Sequence, residues 1–486
     1  MHEFDDLKVL LQARSPLIVI ESYEEQRALQ LIRRLAVNLF RPLFQWSCTE
    51  GLRRLDVPSD AQTFNTEPQQ VLAQIKGSKN PGIYVLCDFH PFLQEPRHIR
   101  YLKEIALMHE QVGHTLVLLS HAISIPAELA RLCYRFELHL PSDQQVRQLV
   151  LEAAELYQQH TGELADMPPE AVQQLVQNLR GLTFEEVKRL AYKAIANDGA
   201  ISPADVSRVN TAKFRLLQTE GVLSQVYDTK ALDDVVGLDN LKNWLLQRRT
   251  VFVQQQRDTP KGVLLTGVQG TGKSLAAKAI AGAFGVPLLL LDMASLYNKY
   301  IGETEKNLRQ ALQLADAMAP CVLWIDEIEK GISSGQGDQG VGKRLLGTLL
   351  TWMAERKAAV FLVATANNIH ELAPELLRKG RFDELFFVDL PEEAERLALL
   401  KLHLQRRELE LDAEGLTKLL PLTTGFSGAE LEQAVVGASF RAQSEASPLS
   451  WHHLEQELSQ TQPISVVMAE SVAALRHWAS SRCVKA

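Results

Sequence analysis

The segment Gly267–Ser274 has the residue types and spacing of a loop that binds phosphate groups. Its glycines let backbone N–H groups turn towards a phosphate chain, and the N-terminus of the following helix adds partial positive charge. Lys273 is placed to reach the β- and γ-phosphates, and the Ser274 hydroxyl is placed to ligate Mg²⁺. The pattern predicts ATP and Mg²⁺ as cofactors, with the nucleotide contacted by Gly267, Val268, Gln269, Gly270, Thr271, Gly272, Lys273, Ser274 and Leu275.

Two carboxylates and an amide are expected close to this loop. The segment CVLWIDEIEK predicts a buried strand ending at Asp326 and Glu327, on the edge where open α/β sheets bind ligands. Asp326 is expected to hold Mg²⁺ with Ser274, and Glu327 to polarise the attacking water. A further strand, VFLVATA, leads to Asn367, whose amide is placed to orient water near the γ-phosphate. The alternative, a strand capped by surface acids, is disfavoured by the loop upstream.

A second glycine-rich segment, Gly337–Lys343, has a similar spacing but lacks two features of a phosphate loop. Arg344 stands where the Mg²⁺-binding hydroxyl belongs, and no apolar strand precedes the segment. We therefore reject it as a phosphate site and expect a mobile loop.

The composition limits the class of protein. A chain of 486 residues, 46% hydrophobic and 23% charged, is typical of a globular protein with roughly three domains. A net charge of −8, without runs of Lys or Arg longer than two, disfavours nucleic acid as the main partner. The N-terminus lacks the apolar core of a signal peptide, and no apolar run reaches the ~20 residues of a membrane span. The five cysteines contain no CxxC pair. We expect a cytoplasmic protein without a membrane partner.

Together with the phosphate loop and the acids, three further segments resemble the AAA ATPases of the FtsH/meiotic-like clade. They are LDDVVGLDNLK (232–242), GRFD (380–383) and TTGFSGAELEQAV (423–435), and the resemblance covers about residues 228 to 445. It implies that the first segment lines the adenine pocket and that a glycine–alanine pair in the third replaces a sensor arginine. The residues that it adds to the nucleotide site are Val235, Val236, Gly237, Gly428 and Ala429.

Arg381, in GRFD, lies too far along the chain to serve the nucleotide of its own subunit easily. The resemblance implies an arginine finger that stabilises charge at the nucleotide of a neighbouring subunit. This role requires a homo-oligomeric ring, and we expect a hexamer. The clade usually has a second arginine three residues later, where this chain has Glu384. Hydrolysis is therefore expected to depend on Arg381 alone, or with help from Arg378.

Tyr300, Ile301 and Gly302, in YNKYIGETEK, match the aromatic–hydrophobic–glycine pore loop of protein-translocating AAA members. An aromatic ring can intercalate between the side chains of an extended polypeptide whatever its sequence. The resemblance therefore implies a central pore that grips an unknown protein client. The alternative is that Tyr300 only packs against the next helix.

The first half of the chain repeats the second half in degenerate form, with an unrelated α/β domain as the alternative. Four segments match in order at a nearly constant offset. The loop ESYEEQRA has three glutamates and no glycine, so it lacks backbone freedom and repels phosphate. Phe89 stands where the catalytic glutamate belongs. The matched pairs are Glu21 and Gly267, Arg27 and Lys273, Asp88 and Asp326, Arg135 and Arg381, and Gly181 and Gly425.

The expected fold class is α/β. A P-loop AAA module, with a parallel sheet, helices on both faces and a helical lid, is preceded by a degenerate AAA-like α/β module with its own helical lid. The degenerate module is expected to be a non-hydrolysing scaffold in which Arg135 is a salt-bridging relic. The expected domains are 1–140 (degenerate α/β domain), 141–210 (its helical lid), 211–235 (linker), 236–390 (ATPase α/β domain) and 391–486 (lid and C-terminal helix).

Two functions fit these patterns. One is a ring-forming ATPase that couples Mg-ATP hydrolysis to remodelling or threading of protein clients, which Tyr300 favours. The other is a nucleotide-dependent switch or scaffold without translocation, which Glu384 and the degenerate first module favour. The order of segments also resembles the AAA proteins named as a hypothetical chloroplast reading frame, which implies a link to carbon use in cyanobacteria. A nucleic-acid motor is a third, weaker alternative.

Overall fold

The computed structural model describes residues 2–13, 15–57, 65–217, 222–254, 258–293, 295–296, 303–332, 339–369, 371–409 and 413–486. The chain divides into two compact units. The first contains residues 1–141 and 183–186, and the second contains residues 142–182 and 187–486.

The first unit is built on a six-stranded sheet whose strands are short apolar runs. Side chains alternate between its two faces: Leu17 and Val19 pack with α3 and α4, whereas Ile18 and Ile20 pack with α1 and α2. The strands are β1 (Leu17–Glu21), β2 (Leu43–Ser47), β3 (Gly51–Arg54), β4 (Ile83–Cys87), β5 (Thr115–Ser120) and β6 (Cys133–Phe136). The helices are α1 (His2–Gln12), α2 (Glu25–Asn38), α3 (Pro68–Gly77), α4 (Pro96–Leu107) and α5 (His109–Val112).

Four helices follow along the chain, and a seven-stranded sheet with its own helices comes after them. The four helices are α6 (Asp143–Thr161), α7 (Pro169–Leu179), α8 (Phe184–Ile195) and α9 (Pro203–Leu217). The strands are β7 (Leu223–Val226), β8 (Gly262–Gly267), β9 (Leu288–Leu291), β10 (Cys321–Ile325), β11 (Val360–Ala366), β12 (Glu384–Val388) and β13 (Val484–Lys485). The remaining helices are α10 (Asp239–Val253), α11 (Lys273–Phe284), α12 (Glu303–Ala317), α13 (Ile328–Ile332), α14 (Gln339–Glu355), α15 (Glu393–Gln405), α16 (Ala413–Leu419), α17 (Gly428–Ser444), α18 (Trp451–Gln460), α19 (Ile464–Val467) and α20 (Ala469–Ala479).

The second sheet is covered by helices on both faces, as a parallel sheet of apolar strands requires. On β10, Val322 and Trp324 pack in a cluster with α10 and α11, whereas Leu323 and Ile325 pack in a cluster with α12, α14 and α20. The resulting core fixes the carboxyl ends of β8, β10 and β11 side by side, since these strands pair in register.

The two sheets share one strand order. In the first sheet it is β3-β2-β4-β5-β1-β6, and in the second it is β13-β12-β8-β11-β10-β9-β7. When the edge strands β3, β7 and β13 are left out, the first sheet reads β2-β4-β5-β1-β6 and the second, taken from its other edge, reads β9-β10-β11-β8-β12. Numbered within each module, both orders are second, third, fourth, first and fifth. All pairings among these five strands are parallel. This common topology confirms the fold class and the two AAA-like modules.

The segment expected as a linker, residues 211–235, takes part in the fold. Helix α9 extends into it, and β7 pairs antiparallel with β9 as an edge strand. Near the C-terminus, β13 pairs with β12 at the opposite edge. The domain boundaries, including the assignment of α6 to α9 as a lid of the first module, stay a prediction.

Part of the glycine-rich segment expected as a mobile loop is helical. Residues from Gln339 onwards, including Gly340 and Lys343, begin α14, and residues 333–338 lie outside the described part. The apolar positions of α14, among them Leu345 and Leu349, bury one face against the core, which stabilises the helix despite its glycines. Of the helices that the structure describes, none is long and apolar enough to cross a membrane.

Candidate nucleotide-binding site

A cavity of about 480 Å³ opens at the carboxyl edge of the second sheet, next to the loop between β8 and α11. Most residues predicted to bind nucleotide line it, and they come from separate parts of the chain. The predicted residues in the lining are Val235, Val236, Gln269, Gly270, Thr271, Gly272, Lys273, Ser274, Leu275, Asp326, Glu327, Asn367, Gly428 and Ala429. Gly237, Gly267 and Val268 are absent from this lining.

Lys273, the first residue of α11, is folded back onto its own loop. Its ammonium donates to the carbonyl oxygens of Gly267, at 2.9 Å, and Val268, at 2.7 Å. The side chain is buried, and burial lowers the pKa of Lys273 to about 8, against the opposing effect of nearby carboxylates, Glu329 first among them. Gly267 and Val268 therefore contribute through their carbonyl groups, and an anion in the cavity offers the lysine a charged partner.

The loop conformation depends on glycine at two places. Gly267 has φ +154°, and a Cβ there would lie 2.0 Å from the carbonyl oxygen of Val388 on β12. Gly270 has φ +77°, and such left-handed backbone is costly for other residues. Gly270 also accepts a hydrogen bond of 3.1 Å from the backbone N–H of Ala429. The predicted glycine–alanine pair thus places the N-terminus of α17 directly on the phosphate loop.

The two predicted Mg²⁺ ligands lie together. Ser274 Oγ is 3.4 Å from Asp326 Oδ1, which is long for a hydrogen bond. Both atoms are oxygens, the ligand type that Mg²⁺ prefers. Thr365 Oγ1 donates to the same carboxylate oxygen at 2.5 Å and orients it. This donor set fits a magnesium ion held by a hydroxyl, a carboxylate and phosphate oxygens.

Glu327 and Asn367 contact each other. Asn367 Nδ2 donates to Glu327 Oε1 at 2.7 Å, and Lys330 forms an ion pair with the other carboxylate oxygen. Glu327 has φ +47°, and its backbone N–H donates to Thr365 Oγ1 at 2.9 Å. The carboxylate is therefore turned to the cavity and held there from two sides.

Two residues of this site have no motif of their own. Thr365 links the ends of β10 and β11, and Glu329, also buried, holds the segment that follows β11. Glu329 Oε1 accepts from the backbone N–H groups of Asn367, at 2.8 Å, and Asn368, at 3.2 Å. The sequence signal that could have identified them is their spacing, because Glu329 lies two residues after Glu327 and Thr365 lies two residues before Asn367.

The lid side of the cavity also contains residues beyond the predicted set. They come from α15 and the residue directly after it, from α17, and from the short 3₁₀ helix Leu232–Asp234 before α10. Burial lowers the pKa of His403, and a hydrogen bond from Arg407 lowers the pKa of Glu432. The additional lining residues on this side are Asp234, Glu395, Leu399, Leu402, His403, Arg406 and Glu432. A Cβ on Gly237 would lie 2.2 Å from Glu395 Oε1, so Gly237 leaves room for the Glu395 carboxylate.

Arg381, the predicted arginine finger, lies away from this cavity. The Arg381 side chain donates from Nη1 to the backbone carbonyl of Leu350 on α14, and Arg381 is absent from the lining. Tyr300, Ile301 and Gly302 lie outside the described residues.

The matching place in the first module contains the protein's own charged side chains. Helix α2 begins at Glu25, directly after the short loop 22–24, and the Glu24 carboxylate accepts from the backbone N–H of Phe184 at 2.9 Å. Arg27, opposite Lys273, is paired with Glu3 at 2.7 Å and Glu24 at 2.9 Å. Its guanidinium also lies 4.2 Å from the centre of the Phe184 ring.

The predicted relic arginine of this module is also paired. Arg135 Nη1 donates to Glu21 Oε2 at 2.5 Å. In the first module, the residue opposite Gly267 and the residue opposite the predicted arginine finger thus bond to each other.

Three family models match the chain. "SpoVK-like AAA ATPase, N-terminal domain" matches residues 4–138, "SpoVK-like AAA ATPase, second domain" matches 144–220, and "ATPase family associated with various cellular activities (AAA)" matches 263–390.

Relatives of this chain match it over nearly its whole length. The "Uncharacterized AAA domain-containing protein ycf46" of Trieres chinensis is 34% identical over 487 residues, covering 98% of this chain and 96% of that protein. The protein of the same name from Pyropia yezoensis is 34% identical over 489 residues, covering 99% and 98%. "ATP-dependent zinc metalloprotease FtsH 4" of Synechocystis sp. is 36% identical over 224 residues, covering 43% of this chain and 36% of that protein. Because relatives that contain an AAA domain are 34% identical over nearly the whole chain, and the AAA family model matches its second module, the chain belongs to the AAA ATPase family.

Proposed function

We propose that the second module hydrolyses ATP with Mg²⁺ and that the first module binds no nucleotide. One observation carries this proposal: Lys273, Asp326, Glu327 and Asn367, which lie far apart in the sequence, line one cavity. In the first module, Arg27 is occupied by two carboxylates, and freeing a partly buried charge from its partners is costly.

The residues of the cavity have distinct roles in this reaction. Lys273 leaves the carbonyl groups of its loop and neutralises charge on the β- and γ-phosphates. Ser274 and Asp326 hold Mg²⁺, which neutralises phosphate charge when bound. Glu327 accepts a hydrogen bond from the attacking water, and Asn367 orients that water and the carboxylate together. Lys330 pairs with Glu327 at the solvent side and limits its movement.

The proposed assembly is a homo-oligomeric ring, most simply a hexamer. Arg381 supports it, since this guanidinium is bonded to α14 and lies outside the lining of its own cavity. In a ring, Arg381 would exchange the Leu350 carbonyl for phosphate oxygens of the adjacent subunit, a stronger charged partner. Among the residues that the structure describes, Glu384 accepts from the adjacent backbone N–H of Leu385, and its carboxylate adds no second positive charge.

The proposed consequence of hydrolysis is remodelling or threading of a protein client in the cytoplasm. Tyr300, Ile301 and Gly302 support it through their match to a pore loop. The competing function is a nucleotide-dependent switch or scaffold without translocation. It is favoured by the first module, where Arg27 is paired with two carboxylates of the same module.

Nucleotide stoichiometry tests the assignment of the two modules. Wild-type protein should bind about one ATP per chain, and Lys273→Ala should remove this binding because the phosphate charge loses its partner. Arg27→Ala, the matched change in the first module, should leave ATP affinity unchanged, and Glu327→Gln should retain binding but lose turnover. Equilibrium binding and phosphate release measure these outcomes. Stoichiometric ATP binding by Lys273→Ala would contradict a silent first module.

Glu329 should act as a positioning residue for Asn367. Glu329→Ala leaves two backbone N–H groups without their acceptor, and displacement of Asn367 should lower kcat about ten- to hundredfold, with KM for ATP nearly unchanged. Glu329→Gln keeps an acceptor and should restore most turnover. Glu371→Ala is the matched control, because, within the described part of the chain, the Glu371 carboxylate accepts from the side chain of Asn368 and from no backbone N–H group. Equal losses of kcat in Glu329→Ala and Glu371→Ala would refute the role.

Mixed assemblies test whether Arg381 acts on a neighbouring subunit. Arg381→Ala alone should lower ATP hydrolysis about a thousandfold, as loss of an arginine finger does. Mixing Arg381→Ala chains with Glu327→Gln chains should restore part of the activity, because an intact Glu327 site then meets an intact Arg381. Light scattering should show a ring with ATP present. A monomer at micromolar concentration under these conditions would rule out the mechanism.

Tyr300 distinguishes threading from switching. A threading ring should hydrolyse ATP faster when it receives an unfolded polypeptide, and Tyr300→Ala should remove that stimulation while basal hydrolysis stays nearly unchanged. Tyr300→Phe should be tolerated, because the ring supplies the grip. Steady-state hydrolysis with and without the polypeptide measures both. Nucleotide-dependent partner binding that survives Tyr300→Ala, without any stimulation in wild type, would favour the switch.

A further inference from the structure

Three metal-ligating side chains meet at the carboxyl edge of the first sheet. Asp88 follows β4 directly, His90 is two residues further, and His121 follows β5. Because β4 and β5 are parallel neighbours, their carboxyl ends lie side by side. One potential ligand atom from each of the three residues lies within 4.8 Å of the other two.

Neighbouring groups hold two of these side chains relative to each other. Ser120, which is buried, donates from Oγ to Asp88 Oδ1 at 2.9 Å and lies 2.8 Å from His90 Nδ1. The Tyr23 ring stacks on the His121 imidazole, with 5.8 Å between ring centres. Such contacts around metal ligands orient them and support affinity.

The same corner of the second module explains why this carboxylate is in place. There, Thr365 donates to Asp326, as Ser120 donates to Asp88. The first module thus keeps the carboxylate and its hydroxyl partner, while the position opposite Glu327 is filled by Phe89, which is buried. In the first module, two imidazoles, those of His90 and His121, lie beside this carboxylate.

The Asp88 carboxylate has no lysine or arginine partner among the described residues. In the ranges that the structure describes, the only ion-pair contact of Asp88 is with His90, at 4.0 Å, and no lysine or arginine pairs with the three side chains. The Asp88 side chain is 63% exposed and that of His90 is 29% exposed, so a solvated ion can reach them.

We propose that Asp88, His90 and His121 bind a divalent transition-metal ion, with Zn²⁺ the best match. Two imidazoles and one carboxylate suit Zn²⁺ and Co²⁺, whereas Mg²⁺ prefers oxygen ligands. Tetrahedral zinc with bonds of about 2.0–2.1 Å places its ligand atoms about 3.3 Å apart. Rotation of the exposed side chains closes the remaining gap. Three protein ligands leave a coordination position for water or for a group of another molecule.

Metal titration of the full chain, stripped by a chelator and free of nucleotide, tests the site. Wild-type protein should bind about one Co²⁺ per chain with visible d–d absorption, and Zn²⁺ should displace it. His90→Ala, His121→Ala and the nearly isosteric Asp88→Asn should each weaken binding at least about tenfold. His139→Ala is the matched control, because His139 also faces an acid, Glu3, at 3.5 Å. The Co²⁺ affinity of the His139→Ala variant should equal that of wild type.

A second readout separates this site from the nucleotide site. Zn²⁺ should raise the thermal midpoint of wild type by binding the folded state and should not raise that of His90→Ala/His121→Ala. The double variant should keep wild-type ATP hydrolysis with Mg²⁺. Equal Co²⁺ affinity in wild type and the double variant, or displacement of Co²⁺ by millimolar Mg²⁺, would overturn the proposal. So would the absence of Co²⁺ binding in folded wild-type protein.

Discussion

The hydroxyl of Thr365 is the contact on which the nucleotide edge of the second module depends. It donates to Asp326 and accepts from the backbone N–H of Glu327, so one buried oxygen orients the carboxylate proposed to hold Mg²⁺ and fixes the turn that carries the other carboxylate. That turn has a positive φ at Glu327, a conformation that persists only where surrounding contacts determine it. The hydroxyl can do this because β10 and β11 pair in register along their length.

The phosphate loop depends on the same sheet from another direction. Gly267 passes so close to β12 that no side chain fits, and the loop then turns to place Lys273 at the start of α11. The Lys273 ammonium donates to two carbonyl groups and is buried. The loop thus keeps the lysine beside the cavity, where the proposed phosphate partner would replace the two carbonyl groups.

The two modules share one topology but differ in the charged partners of the residues at the start of α2 and α11. Both sheets have the same strand order, and both keep a hydroxyl–carboxylate contact at the same corner. In the first module, α2 begins directly after a short loop without glycine, and Arg27 is neutralised by Glu3 and Glu24. The arginine opposite Lys273 is thus paired with carboxylates of its own module, which fits the proposed role of this module as a non-hydrolysing scaffold.

The sequence by itself determined the local parts of this protein. The glycine spacing, Lys273, Asp326, Glu327 and Asn367 could be predicted because loop conformation and strand ends follow from nearby residues, and the common strand order confirmed the repeat. The roles of Glu329 and Thr365 were decided by tertiary structure, since each acts on a segment distant in the chain. The Asp88, His90 and His121 cluster was decided in the same way. Its members form no local pattern, and only the parallel pairing of β4 and β5 brings them together.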